Sequence, residues 1–113
     1  MGMLELVNLH LGDEADRQAV YETDDIQIMR IRLSGGEALP THKANSNVLL
    51  VPLHGAVTVQ TPEGEVTAQA GEAIPVAYDT KMDVSNRSMA ATVFLVLKTP
   101  HPRRFGGTSV QVL

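Results

Sequence analysis

His42 has the widest chemical range of the candidate site residues in this sequence. An imidazole can bind a metal ion, transfer a proton near neutral pH or hydrogen-bond a small ligand. The plainer alternative is a partly buried histidine that bonds a backbone carbonyl. The 113-residue chain contains no cysteine. This excludes thiolate nucleophiles, disulfides, iron–sulfur clusters and zinc fingers.

Further polar residues stand close to His42 or close to Met82, and they could line one site with them. They are Asn45, Asn47, Tyr78, Asp79 and Lys81. The asparagine amides could hydrogen-bond a small ligand, although asparagine is also a common turn residue. Tyr78, Asp79 and Lys81 are expected either to border the site or to belong to a solvated loop.

Arg30 and Arg32 share one face of a predicted strand with Ile26 and Ile28. If the arginines point inward, they could clamp a carboxylate or another anion. We favour the outward orientation, in which they pair with acidic neighbours, because arginine is seldom buried.

The elements that must position these residues read as short β-strands. Val, Ile and Thr make up 26 of the 113 residues, and such β-branched residues favour strands. No segment keeps a helical period of 3.6 residues. The predicted strands are residues 4–9, 26–33, 48–53, 56–61, 65–69, 73–77, 82–85, 91–98 and 109–113. Residues 12–19 are predicted to be a loop or a frayed helical turn, and the tail from residue 100 is predicted to be irregular. About nine short strands at regular spacing indicate a sandwich or barrel.

The strand predictions carry three local details. Residues 56–61 and 65–69 both alternate and flank a Pro-Glu-Gly turn, which predicts a hairpin. Pro52 and Pro75 each stand inside a strand and are expected at an edge, a bulge or a strand end. If Val48 points inward, so do Leu50 and Pro52, while their neighbours point outward.

The stretch from Gly36 to Gly55 resembles the first sequence motif of the cupins. In that motif a glycine is followed, after five residues, by His-x-His, then by a glutamate and, at a fixed distance, by a second glycine. His42 follows Gly36 after five residues. A stretch from Gly71 to Asn86 resembles the second motif, which ends in an asparagine.

The resemblance implies an all-β fold, the double-stranded β-helix or jelly-roll barrel of cupins, in a single domain of residues 1–113. The core barrel would span about residues 26–98. The terminal segments, 1–25 and 99–113, would lie at a dimer interface or be flexible.

The resemblance also implies a metal site of two histidines and a glutamate from the first motif and a histidine from the second. Only His42 is present. The other positions fall on Ala44, on Val48 (or Asn47 with a one-residue offset) and on Met82. We therefore predict no cofactor. The alternative is a divalent metal, or Cu(I) held by His42 and Met82.

The candidate ligand-binding residues at the barrel mouth are His42, Asn47, Val48, Tyr78 and Met82. The favoured function is a metal-free cupin that binds a small organic molecule, as a binder or sensor. One alternative is a cupin enzyme, either a metal-dependent oxygenase or an isomerase-like catalyst, with an unusual ligand set around His42. Another is a structural or interaction domain whose barrel is filled. Whether the protein is an enzyme stays open, and no catalytic residue is assigned.

Charge and hydropathy bear on partners and location. The net charge of −4 argues against a nucleic-acid surface. No apolar run approaches the roughly 20 residues that span a bilayer. The first ten residues lack the pattern of a signal peptide, so a cytoplasmic protein is expected.

Residues 48–53 are apolar on both faces, so the outer face of that strand needs cover. The sequence therefore predicts a homodimer, in which residues 4–9 or 109–113 extend the partner's sheet.

Overall fold

The computed structural model describes residues 4–9, 16–106 and 113 of the chain. These residues form nine β-strands and one short 3-10 helix. The strands are β1 Arg17–Glu22, β2 Gln27–Leu33, β3 His42–Lys43, β4 Asn47–His54, β5 Ala56–Thr61, β6 Gly64–Gln69, β7 Ile74–Val76, β8 Lys81–Ser85 and β9 Thr92–Thr99. The helix is Pro102–Phe105.

The strands form two sheets, one of five strands in the order β1-β2-β9-β4-β7 and one of four in the order β3-β8-β5-β6. All strand pairs are antiparallel. The apolar core lies between the sheets and draws on both of them, for example Leu50 and Phe94 from one and Val57 and Val84 from the other. The architecture is the double-stranded β-helix that the sequence predicts.

The alternation predicted for the most apolar strand is confirmed. Val48, Leu50 and Pro52 are buried, whereas the residues between them on β4 are only half-buried. Pro52 stands at a register shift between β4 and β9, and Pro75 lies on the edge strand β7. Neither proline therefore removes a needed ladder hydrogen bond, as the strand rules require.

Gly55 makes the turn from β4 to β5 and has φ +78°, a conformation that strains residues with a side chain. A Cβ at this position would lie 3.0 Å from Thr92 Cβ. The Thr92 hydroxyl donates to the carbonyl of His54 at 2.8 Å, and this hydrogen bond joins the turn to β9. The predicted hairpin is confirmed as β5 and β6, with Thr61 opposite Gly64.

The chain termini differ from the prediction. Residues 4–9 do not form a strand, and Leu4 and Leu6 are almost fully exposed. The prediction of a loop or helical turn is wrong over residues 17–19, because β1 pairs there with β2. The sheet thus begins before residue 26. Pairing along one edge stabilises this polar segment, a long-range effect that local propensity does not reveal.

Two further elements escaped the sequence analysis. The strand β3 has only two residues and forms because His42 and Lys43 pair with β8. The tail was predicted to be irregular, but Pro102–Phe105 is a 3-10 helix. Pro102 favours the start of that helix, and the His101 side chain accepts a hydrogen bond from the Arg103 amide at 3.2 Å. Of the predicted strand 109–113, residues 109–112 lie outside the described part of the chain.

No helix in the described ranges is long and apolar enough to cross a membrane. The cytoplasmic location stays a prediction.

Candidate functional site

His42 and Met82 lie directly opposite each other on β3 and β8. Directly opposite residues of an antiparallel pair point to the same face, and Met82 is fully buried in the core. His42 Nδ1 lies 2.8 Å from the carbonyl oxygen of Pro40 and donates to it. The other ring nitrogen, Nε2, is buried and has no hydrogen-bond partner within the described residues. Nδ1 therefore carries a proton, and in the neutral ring this leaves the Nε2 lone pair available.

One transverse row of the five-stranded sheet brings a charged side chain into the barrel. The row runs through Glu22, Gln27, Lys98, Val48 and Val76 on its five strands. Its three middle members are all buried, and Lys98 has no exposed surface. The sequence analysis did not single out Lys98. The sequence does contain one indication of its inward position, the alternation of side chains along a strand. Lys98 is two residues from Val96 and four from Phe94, so the three side chains share the inward face of β9.

The Lys98 ammonium donates to the main-chain oxygen of Leu113. A second cation approaches the same oxygen, since Arg17 Nη2 lies 3.4 Å from it. The Leu113 side chain is buried in the hydrophobic core. Burial, together with a smaller repulsion from Arg17, lowers the pKa of Lys98 to about 7, and the Glu22 carboxylate opposes both effects.

Glu22 anchors a polar cluster at the edge of the same row. Its Oε1 accepts from Gln27 Nε2 at 2.6 Å and from His101 Nε2 at 3.1 Å. These two hydrogen bonds hold the pKa of the Glu22 carboxyl below its usual value. His101 therefore joins β1 to the 3-10 helix.

The five candidate ligand-binding residues fall into two groups. His42, Val48 and Met82 face the barrel interior, and Val48 and Met82 share one core cluster. Asn47 and Tyr78 lie together on the rim, where Asn47 Oδ1 accepts from the Tyr78 amide at 3.0 Å. Tyr78 is 45% exposed, and its ring stacks on that of Phe105, with ring centroids 4.0 Å apart.

A cleft of about 400 Å³ opens between the β5–β6 hairpin and β7. Val66 lies opposite Val59 and shares its inward face, yet it is 54% exposed, so the sheets part at this edge. The cleft is lined by Val59, Thr61, Glu63, Gly64, Glu65, Val66, Ile74, Pro75, Val76, Ala77 and Thr80. Its wall reaches Val76, the neighbour of Val48 in the transverse row.

The two arginines of β2 are on the outer face, since Met29 and Ile31 take the inner one. Arg30 is nevertheless 1% exposed, so the outward orientation is confirmed without the expected solvation.

The donor set around His42 does not fit the metal site that the fold implies. One imidazole nitrogen and one thioether are present, and the other two positions carry the apolar side chains of Ala44 and Val48. Across the described ranges, no three His, Cys, Asp or Glu side chains come together as a metal site. The Lys98 amine beside Val48 would, when protonated, repel a divalent cation. The expectation that the protein holds no cofactor stays a prediction.

The fold and the site geometry define a small double-stranded β-helix protein. No family model matches the chain. An uncharacterised protein of Methanocaldococcus jannaschii is 31% identical over 88 residues, which are 77% of this chain and 76% of that protein. Its crystal structure is described as an RmlC-like cupin family protein with a double-stranded β-helix fold. That structure has a TM-score of 0.78 at 27% identity and covers 94% of this chain and 100% of its own.

Two further structures support the fold alone. A cupin domain from Bordetella pertussis has a TM-score of 0.63 at 22% identity, over 75% of this chain and 92% of its own. A cupin superfamily protein from Desulfitobacterium hafniense has a TM-score of 0.69 at 12% identity, over 89% of this chain and 94% of its own.

The similarity to the Methanocaldococcus jannaschii protein shows the family, because that protein is 31% identical over 77% of this chain. The chain belongs to the RmlC-like cupin family.

Proposed function

We propose that this cupin binds a small organic molecule in its barrel, and that the cleft beside β7 is the entrance. The observation that carries the proposal is the exposed inward face of Val66, which leaves an apolar wall open to solvent. Small-molecule sites are typically concave and mostly apolar, with a few polar groups that set orientation. Here Thr61, Glu65 and Thr80 supply such groups beside Val59 and Ile74.

A buried amine lies near the cleft on the same sheet. Val76 on the cleft wall pairs with Val48, and Val48 pairs with Lys98. The amine is therefore two strands from the cleft wall, beyond the buried side chain of Val48. The unpartnered Nε2 of His42 is a second polar group on the inner face.

An acid–base enzyme is the second candidate function. The observation that favours it is the fixed His42 tautomer, which leaves a buried ring nitrogen able to accept a proton from a bound molecule. The filled-barrel alternative has support around Val48, Leu50 and Met82, all of which are buried. It predicts that no small molecule enters.

Chemical-shift mapping of the 15N-labelled protein with a mixed set of small neutral and acidic compounds tests the proposal. We expect shifts at Val59, Val66 and Ile74. The variant Val66→Arg should abolish them, because it places a charged side chain across the cleft. Met89→Arg is the matched control, since Met89 is fully exposed and outside the cleft. If no compound shifts the cleft residues, the proposed function is wrong.

We also propose a homodimer, with a second copy covering the outer face of β4. Leu49, Val51 and Leu53 on this face are only half-buried. Leu4 and Leu6 are 102% and 93% exposed, so residues 4–9 present an apolar segment that their own fold does not cover. Light scattering should give twice the chain mass of 12.2 kDa. The double variant Leu4→Lys and Leu6→Lys should weaken association, whereas the control Met89→Lys should not. A monomeric wild-type protein would refute the dimer.

A further inference from the structure

We propose that the free edge of β6 binds an extended peptide segment of a partner protein as an added antiparallel strand, and that this segment alternates lysine or arginine with aliphatic residues. The free edge is the side of Gly64–Gln69 that faces away from β5. This interface does not require a small molecule to enter the barrel, so it goes beyond the proposed function.

The lining of the cleft shows that two strand edges border it. Side chains on one face of a strand come from alternate residues. The cleft is instead lined by consecutive residues, 64–66 on β6 and Ile74–Val76 on β7. These two strands stand at the ends of their sheets. The main-chain groups of both edges therefore face the cleft.

The main-chain groups on the free edge of β6 can be assigned residue by residue. Gln69 faces away from β5, because its amide donates to Glu72 Oε1 at 3.1 Å and its carbonyl accepts from the Glu72 amide at 2.9 Å. Along an antiparallel strand, residues that bond one neighbour alternate with residues that face away from it. Glu65 and Thr67 therefore also direct an amide and a carbonyl to the free edge, where an added strand would bond them.

The two edges differ in their protection against a further strand. Proline and lysine commonly protect edge strands, as do bulges. Pro75 on β7 has no N–H to donate across the cleft. The β6 sequence, GEVTAQ, contains neither residue, and its pairing with β5 runs without a bulge. All of its residues except Ala68 are exposed. An added strand would therefore bond to β6.

The side chains beside the free edge define the chemistry of the partner segment. Val66 points inward and is 54% exposed, so the residue directly opposite it on an added strand would cover it and should be aliphatic. The charged residues that line the cleft are Glu63 and Glu65. Glu65 is paired with Arg87 at 2.6 Å, whereas Glu63 has no ion pair in the part of the chain that the structure describes. Lys81 lines a separate recess. Basic residues are therefore favoured at the outward positions of the partner segment.

Charge disfavours a second copy of this chain as the occupant. Two β6 strands paired with each other would bring the carboxylates of Glu63 and Glu65 together, and like charges on paired strands are destabilising. The exposed apolar segment 4–9 carries Glu5 between its two exposed leucines. The whole chain has a net charge of −4. These charges match a basic segment from a different protein.

Titration of a short peptide into the 15N-labelled full-length protein tests the interface. The probe is acetyl-Thr-Lys-Val-Lys-Thr-amide, and we expect saturable binding at millimolar concentration. Hydrogen exchange should slow at the amides of Glu65 and Thr67, whereas the amide of Val66, which faces β5, should keep its rate. A peptide with glutamate in place of lysine should bind roughly tenfold more weakly because its charge is reversed. A peptide that is N-methylated at both lysines should also lose roughly tenfold, because it cannot donate to the edge.

A matched pair of variants separates the edge from the side chains. Thr67→Pro removes a free-edge donor without touching the ladder to β5, and it should weaken binding of the peptide roughly tenfold. Thr67→Ala is the control, since both variants lose the hydroxyl that lies 2.8 Å from that of Thr58, but only the alanine keeps the N–H. Glu63→Gln should weaken binding about threefold, whereas Glu5→Gln should leave it unchanged.

Each outcome supports or overturns the interface. If the peptide does not bind at millimolar concentration, or if its N-methylated form binds equally well, the proposal is refuted. Should Thr67→Pro fail to fold, the N-methylated peptide gives the same reading on the wild-type protein. If light scattering shows a dimer that Thr67→Pro abolishes and Thr67→Ala keeps, a second copy occupies the edge and the proposal is overturned. Small compounds that shift Val59 and Ile74 would still support the proposed function after such a failure.

Discussion

Lys98 lies directly opposite Val48, on the neighbouring strands β9 and β4, and both side chains are buried inside the barrel. By the motif resemblance, Val48 stands where cupins place a metal-binding glutamate. The chain therefore has an apolar side chain at the acidic position and an amine beside it. When Lys98 is protonated, this arrangement would reverse the local preference from cations towards anions, because the sign of the local charge is changed.

Metal binding should reflect this reversal. Untagged protein that is exposed to manganese, iron, nickel, copper and zinc and then desalted should retain no stoichiometric metal. The physical reason is that His42 is the single imidazole at a site that otherwise offers a thioether and two aliphatic side chains. Elemental analysis makes the measurement. Near-stoichiometric metal that disappears in His42→Ala would overturn the ligand assignment.

Stability should rise with pH above neutrality because of Lys98. Its pKa is lowered from 10.5 to about 7 in the folded protein. Between these values the unfolded chain binds more protons than the folded one, so raising the pH favours folding. Below about pH 7 both states are protonated and the gain is absent. Urea unfolding at pH 7 and pH 9 measures the effect, and Lys98→Met should remove it. If the free energy of unfolding of that variant still rises equally between pH 7 and pH 9, groups other than Lys98 cause the effect.

Glu22 should give a dependence of the same sign in acid, where stability again rises with pH. The hydrogen bonds from Gln27 and His101 lower its pKa from the usual 4.5, so the stabilisation is complete above that value. It is lost as the pH falls through the lowered pKa. Glu22→Gln should cost about 1 kcal/mol at pH 7, a value discounted because the carboxylate is half-exposed. Glu5→Gln is the control. Equal losses in both variants, by urea unfolding, would contradict the assigned role.

Asn86 should be the most sensitive polar position of the framework. Its buried Nδ2 lies within hydrogen-bond distance of the carbonyls of Leu33, Ser34 and Ala90, at 3.1, 3.1 and 2.7 Å. Asn86→Ala would remove this donor from all three carbonyls, of which those of Ser34 and Ala90 keep the Glu37 amide and the Ser88 hydroxyl, and it should cost about 3 kcal/mol. Asn45→Ala, on a half-buried loop position, should cost less than about 0.5 kcal/mol. Thermal unfolding compares the two, and similar melting temperatures would refute the role of Asn86.

The sequence predicted those parts of the fold that local rules determine. The alternation along β4, the hairpin and the places of Pro52 and Pro75 all follow from strand parity and turn chemistry. The opposition of His42 and Met82 followed from the motif resemblance. These features depend on neighbours in the chain or on fixed spacings.

The remainder depends on pairing between distant segments. The hydrogen bond from His101 to Glu22 joins residues 79 positions apart. Lys98 looks in sequence like the polar end of an apolar strand, and its inward position becomes visible only with the register against Gln27 and Val48. The edge strand β1 has a mostly polar sequence with little strand propensity, and it is stabilised by its pairing with β2 along one side.

The most direct test of the account is chemical-shift mapping of chelator-treated, metal-depleted protein with the mixed compound set. We expect the resonances of Val59, Val66 and Ile74 to shift without added metal, and Val66→Arg to abolish these shifts. Shifts that appear only after a divalent metal is added, or no shifts at these residues, would contradict a metal-free binding barrel.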